Sequence, residues 1–305
     1  MNTKFLISVA GPTAIGKTAL SIKLANAFNT HIISADSRQF YREMQIGTAA
    51  PGKEELEAAP HHFIHHISIN DNYSVGDFER EAIDKINDLF KDHSVLIVTG
   101  GSGLYLKSIF EGLDDFPEVD TSIREELNYI HEDQGLLPLQ EKLKILDPQT
   151  YLNIDLENPH RVIRALEICM GTGKPYSSFL KREKPDRDFS VIKIGLTAPR
   201  EEIYSRINKR VDIMMEEGLL EEARRLLPFK DLNALNTVGY KELFAYFEGK
   251  CTVDEAVEEI KKNTRRFAKR QLTWFRKEEG INWFEHTTPI NKILEFLSEK
   301  LSLKR

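Results

Sequence analysis

The segment Gly11-Pro12-Thr13-Ala14-Ile15-Gly16-Lys17-Thr18 fits the pattern G-x-x-x-x-G-K-[ST] and stands between an apolar run, KFLISVA, and a helical stretch, TALSIKLANAF. A strand before and a helix after are the context in which this pattern forms a phosphate-binding loop. The glycines let successive backbone N–H groups turn inward around an anion, and the helix that follows adds its positive end. Lys17 supplies a point charge and Thr18 a hydroxyl for a metal ion. Between the glycines, the backbone of Pro12, Thr13, Ala14 and Ile15 completes a cradle for a di- or triphosphate.

On either side, strand-like and helical patterns alternate. HIISAD (31–36) and SVLIVTGG (94–101) are further apolar runs, separated by the helically spaced DFEREAIDKINDLF, and VIKIGL (191–196) reads as a further buried strand. Strands alternating with helices predict an α/β fold, a P-loop NTPase-like core in which a parallel sheet is flanked by helices. Residues 116–189 have a different texture, with helical periodicity, edge prolines and no strand pattern. They are expected to form an all-helical insertion domain. Residues 1–115 and 190–305 are then the two parts of the core, the second ending in basic helices.

The chain has 305 residues, 41% hydrophobic and 30% charged, enough for a large core with a smaller insert. Its two cysteines, Cys169 and Cys251, build neither a disulfide framework nor a four-cysteine zinc site, which favours a reducing compartment. The N-terminus runs straight into an apolar stretch without a cleavage site, and no run reaches the roughly 20 apolar residues of a membrane span. A cytoplasmic protein without membrane contact is expected. The net charge of −6 hides a local exception, since Lys261 to Lys277 holds eight cations and no acid. One face is therefore expected to be basic.

Asp36 is the carboxylate at a strand end beside the phosphate loop, whereas SVLIVT runs into Thr99-Gly100-Gly101-Ser102-Gly103 with none. An NTPase ordinarily holds its metal with an acid at such a neighbouring position, so phosphate binding here need not mean hydrolysis. Asp36 is a candidate metal ligand or general base, the alternative being a helix N-cap. Arg161 and Arg164 lie one helical turn apart, as do Arg206 and Arg210. Such arginines either stabilise a leaving group or form an ordinary solvated face. NTRRFAKRQLTWFRK (263–277) joins cations to Phe267, Trp274 and Phe275, a mixture suited to RNA phosphates and unpaired bases, or to an amphipathic helix with its aromatics in the core. His61, His62, His65 and His66 have no accompanying cluster of metal-ligating residues and read as packing or substrate-edge groups.

Together, GPTAIGKT, DSRQFYREMQIGTAAP, PHHFI, YSVGDF, TGGSGLY, NPHRVIRALEI, NTVGYKEL and AKRQLTWFR resemble the blocks of the tRNA dimethylallyltransferase (tRNA isopentenyltransferase) family, bacterial type, in order over nearly the whole chain. The resemblance implies transfer of a dimethylallyl group from dimethylallyl diphosphate to N6 of adenosine 37 in the tRNA anticodon stem-loop, with the adenine flipped into a channel. It implies Mg2+ on Thr18 and a diphosphate leaving group held by the loop, Lys17 and Arg206 or Arg210, with Arg210 favoured. Asp36 becomes the acceptor of the N6 proton. Ser37, Arg38 and Gln39 would read the base and its surroundings. Ser102, which stands where the family usually has Thr, would touch tRNA. So would Arg124, His160, Arg161, Arg164, Gly239, Tyr240, Lys241, Arg265, Arg266, Lys269 and Arg270. One departure is the block usually written RCVGYRQ, which here is Asn236-Thr237-Val238-Gly239-Tyr240-Lys241-Glu242; the zinc-finger extension of some eukaryotic relatives is also absent. A monomer is expected. The competing readings are an adenylate (free-nucleotide) isopentenyltransferase, a P-loop small-molecule kinase and a non-catalytic RNA-binding protein. A mononucleotide needs no helical insert or basic helix, and a non-catalytic protein needs no Lys17 and Asp36 together.

Overall fold

The computed structural model describes residues 4–180 and 185–302. Its strands are β1 (Phe5–Ala10), β2 (Ile32–Ser34), β3 (His61–His62), β4 (Val95–Gly100), β5 (Ser190–Thr197) and β6 (Ile281–Glu285). They form one sheet in the order β3-β2-β4-β1-β5-β6, with every pairing parallel. β1 lies at the centre and is buried at every residue, as a strand whose one polar side chain is Ser8 requires. In register, Ala10 pairs with Gly100 on one side and Gly195 on the other, so the loops after three strands emerge side by side. The apolar runs identified β1, β2, β4 and β5; β3 and β6 carried no such run. β3 has only two residues, both His, and β6 is an edge strand with two of its five residues exposed.

The helices are α1 (Lys17–Phe28), α2 (Lys53–Ala58), α3 (Val75–Leu89), α4 (Gly103–Glu111), α5 (Thr121–Gln134), α6 (Leu137–Leu146), α7 (Pro148–Asn153), α8 (Pro159–Thr172), α9 (Arg200–Glu216), α10 (Leu219–Leu226), α11 (Tyr240–Phe247), α12 (Val253–Phe275) and α13 (Ile290–Ser302). Alternate side chains of the strands enter two different cores, as strand geometry demands. Ile7 and Val9 join Leu20, Leu24, Ile203 and Leu297, while Leu6 joins Phe40, Phe78, Ile86 and Ile109. A third cluster packs Val211, Leu219, Tyr240 and Ile260 together with Met44. None of the described helices is long and apolar enough to cross a membrane.

Two compact units are present, residues 4–111 with 186–302 and residues 112–180 with 185. The second is all helical, with Leu127, Leu139, Leu143, Val162 and Leu166 at its centre. Asp120 caps α5, Asp147 caps α7 and Asn158 caps α8. The sequence boundaries of 116 and 189 differ by a few residues from those of this unit. At its end the reason is visible: Arg187 donates to Glu79 Oε1 at 2.7 Å and to Ser108 O at 3.1 Å, and Phe189 packs on Phe90, all within the first unit.

Candidate active site

Gly16 has φ 108, a conformation open to glycine and strained in residues with a Cβ, and it turns the loop after β1 into the first turn of α1. The side chains of Ala14 and Ile15 are buried, leaving the backbone as what these positions offer a ligand. Lys17 folds back over the loop and donates to Pro12 O at 3.0 Å. Burial lowers its pKa from 10.5 to about 8, with Asp36 drawing it up and Arg210 pressing it further down. From α9, Arg206 Nε donates to Ala14 O at 2.7 Å and Arg210 Nη1 approaches Thr13 Oγ1 at 3.5 Å. Both arginines therefore reach the loop, as their spacing along one helix face allows. Burial lowers the pKa of Arg210, and Arg206 adds to the effect.

The turn after β2 carries Asp36. Residues 37–40 form a turn and not a helix, so the N-cap alternative for Asp36 falls; its Oδ1 accepts instead from Arg38 N at 3.3 Å. Ser37 Oγ lies 3.2 Å from Ser102 Oγ, Arg38 Nη1 donates to Ala234 O at 3.1 Å, and Gln39 Nε2 donates to Ala49 O at 3.1 Å. Gln271, buried on α12, joins the two strand-end loops. It accepts from Thr13 N at 2.8 Å and donates to Gly101 O at 2.9 Å. Thr13, Asp36, Arg38, Arg210 and Gln271 line one cavity of about 100 Å³. Its wall also includes the apolar Val211, Met214, Leu219 and Ile260. A residue of the glycine-rich loop, two arginines, a carboxylate and an apolar wall thus meet in one space.

The model for the family described as IPP transferase matches residues 39–278. The chain belongs to that family. It is 61% identical to a tRNA dimethylallyltransferase of Christiangramia forsetii, over 98% of this chain and 99% of that one. With a tRNA dimethylallyltransferase of Flavobacterium johnsoniae the identity is 56%, over 98% of each. Among solved structures, the tRNA isopentenylpyrophosphate transferase of Bacillus halodurans superposes with a TM-score of 0.73 at 38% identity, covering 99% of this chain and 98% of that one. A eukaryotic dimethylallyltransferase acting on tRNA superposes with a TM-score of 0.77 at 29% identity, over 93% of this chain and 74% of that one.

As a member of the IPP transferase family, the chain carries further residues of interest outside the cavity's phosphate end. Along α12 the character of the cations changes. Lys261 pairs with Asp212 and Glu258, and Lys262 with Glu259. Arg265 instead binds the neutral Asn208, and Arg266 the neutral Asn263. Arg266, Lys269, Arg270, Thr273, Trp274 and Lys277 line an open basin of about 440 Å³ without an acid among them. Phe267 and Trp274 are each 37% exposed, whereas Phe275 is 2% exposed and belongs to the core.

In the helical unit, Arg124 and Arg164 share the buried Glu167, at 3.1 and 2.8 Å, while His160 and Arg161 are exposed in the first turn of α8. Tyr240 is corrected as an RNA contact. It is 0% exposed, and its hydroxyl donates to Glu222 Oε1 at 2.7 Å. Gly239 lies on the cavity wall and Lys241 is exposed. Glu242, in the unusual 236–242 segment, accepts from Gly239 N at 2.8 Å and from Asn263 Nδ2 at 2.8 Å, which caps α11 and ties it to α12.

His62 Nε2 lies 2.9 Å from His31 Nδ1, and burial lowers the His62 pKa to about 4. His66 sits edge-on against Phe40, Phe63 and Tyr73. These are packing contacts, and among the described residues no group of three or more His, Cys, Asp or Glu could hold a metal ion. A cation at the phosphate loop would rest on Thr18, on the ligand's own phosphate oxygens and on water. That donor set suits Mg2+, which keeps several waters and leans on substrate phosphates. Sequence reasoning misses Gln271 and Glu222. Gln271 lies within the block AKRQLTWFR, but nothing local marks a glutamine as a bridge.

Proposed function

We propose that this chain transfers a dimethylallyl group from dimethylallyl diphosphate to N6 of adenosine 37 in tRNA, next to the anticodon, acting in the cytoplasm as a single copy. The observation that carries this reading is the shared cavity, where Asp36 stands with Thr13 of the phosphate loop and with Arg210. In the transfer, the N6 nitrogen forms a bond to the allylic carbon as that carbon's bond to the diphosphate oxygen breaks. The N6 proton passes to the Asp36 carboxylate. The departing diphosphate carries the electron pair away and is held by the loop N–H groups, Lys17 and the two arginines. Mg2+ bound to Thr18 and the diphosphate would supply further positive charge for the leaving group. The adenine would leave its stack to enter the cavity, since a stacked base is out of reach of Asp36. Ser37, Arg38 and Gln39, in the turn that follows Asp36, and Ser102 beside it would contact the RNA. The exposed cations of α12, Arg266, Lys269 and Arg270, and the half-buried Arg265 beside them would meet its phosphates.

The test is prenyl transfer from labelled dimethylallyl diphosphate with Mg2+, with unmodified tRNA and AMP as parallel acceptors. Label on the adenine beside the anticodon is the expected result. Label on AMP alone would make the chain a free-nucleotide prenyltransferase, and label on neither would sink the reading.

A further inference from the structure

Glu222 is 3% exposed on α10, and four donors converge on its carboxylate. Oε2 accepts from Gln45 N at 3.1 Å and Ile46 N at 2.9 Å, and Oε1 accepts from Gly47 N at 2.9 Å and Tyr240 Oη at 2.7 Å. Among the described residues, none of these partners is a cation; all are backbone amides or a phenol. Burial, and then the Glu222 carboxylate, push the Tyr240 pKa up, so the phenol stays a donor. The Tyr240 ring also closes over Gly47, where a Cβ would come within 2.5 Å of Tyr240 Cζ.

These contacts fix two separate loops. Gly47, Thr48 and Ala49 line the cavity from one loop, and Thr237, Val238 and Gly239 line it from the other. Neither Glu222 nor Tyr240 lines it directly. The first loop is coupled onward to the Asp36 turn, because Ala49 O accepts from Gln39 Nε2. Burying a carboxylate without a cation is costly, and an apolar side chain would leave the amides of residues 45–47 unpaired. Nor can a carboxamide replace it, since it offers one acceptor oxygen and turns its NH2 toward donors.

We propose that Glu222 is a positioning residue for the acceptor, holding the 45–49 and 237–240 loops at the separation the flipped adenine requires. This rests on the reading that RNA is the acceptor. Acting through the loops, it governs acceptor use and leaves the phosphate loop alone.

The experiment compares the full chain with Glu222→Gln and Tyr240→Phe. Three quantities are measured: amide hydrogen exchange at 45–47, transfer kinetics with an RNA stem-loop, and affinity for inorganic diphosphate. Faster exchange at 45–47 is expected in both variants. For Glu222→Gln, kcat/KM for the RNA should fall about 10- to 100-fold, the range a small misplacement produces. Inorganic diphosphate should bind within about twofold of the wild type. Tyr240→Phe keeps the ring over Gly47 and removes one of the four bonds, so a smaller drop in the same direction is expected.

Faster exchange with wild-type RNA kinetics in either variant would overturn the proposal. So would a drop in diphosphate affinity as large as the drop in RNA kinetics, because that marks general disruption. If Glu222→Gln does not fold, Tyr240→Phe alone decides by the same criteria. A wild-type chain that modifies no RNA would sink the functional reading, whereas an active wild type with unaffected variants would sink the role of Glu222 alone.

Discussion

Replacing Gln271 with Ala removes the bridge between the phosphate loop and the turn after β4. The side chain is 6% exposed and makes two bonds, from Thr13 N at 2.8 Å and to Gly101 O at 2.9 Å. Each backbone group left without a partner costs about 1–3 kcal/mol, and water entering from the cavity recovers part of that, so the expected loss is about 2–4 kcal/mol. Gly101→Ala should arrive at a similar loss by another route. Its new Cβ would lie 2.3 Å from Gln271 Nε2, so the amide must swing away and abandon both bonds. The other nearest atom outside Gln271, Asp36 Oδ2 at 3.5 Å, is at ordinary packing distance. Once Gln271 is gone, Gly101→Ala has nothing left to displace. The double variant should therefore lie within about 1 kcal/mol of Gln271→Ala, well short of the sum of the two single losses. Urea unfolding followed by tryptophan fluorescence measures this, because both tryptophans, Trp274 and Trp283, belong to the same compact unit as the bridge. Additive losses, or a loss below about 0.5 kcal/mol for Gln271→Ala, would refute the bridge as a source of stability.

Asp36→Asn should lower the transfer turnover about 100- to 10,000-fold, the usual contribution of a general base, with RNA affinity little changed; turnover close to that of the wild type would remove Asp36 from the mechanism. Lys17 gives a pH test. Its folded pKa of about 8 lies below the 10.5 of a free lysine. Between these values the unfolded chain binds more protons, so Lys17 makes stability rise with pH in that window. Binding of diphosphate depends on the protonated form and should weaken as pH rises above about 8. Calorimetric titration should find that limb in the wild type and not in Lys17→Met; a limb retained in the variant would assign it elsewhere. Finally, Lys269→Glu with Arg270→Glu should weaken tRNA binding and flatten its salt dependence by about 0.7 in log–log slope for each phosphate that is no longer neutralised. An unchanged slope would place the RNA elsewhere.

Much of this architecture is written in contiguous residues. The predominantly apolar runs of β1, β4 and β5, and the glycine-lysine-threonine turn into α1, identify a parallel sheet with a phosphate loop because strand burial and loop conformation depend on neighbours in the chain. The i, i+4 spacing of Arg206 and Arg210 likewise puts them on one face, and both meet the loop. Exposure is a different matter. Phe275 and Tyr240 lie in motifs that suggest RNA contact, yet both are buried; whether an aromatic faces water depends on what packs over it. β3 and β6 are not legible because two histidines and a half-exposed edge carry no apolar signal.

The ties that shape the cavity belong wholly to the tertiary structure. Gln271 reaches Thr13 across 258 positions and Glu222 reaches Gly47 across 175. Local sequence determines where a strand ends and a loop can hold phosphate. Which distant carboxylate or amide satisfies that loop's N–H groups is decided only when the packed helices bring it within hydrogen-bond range.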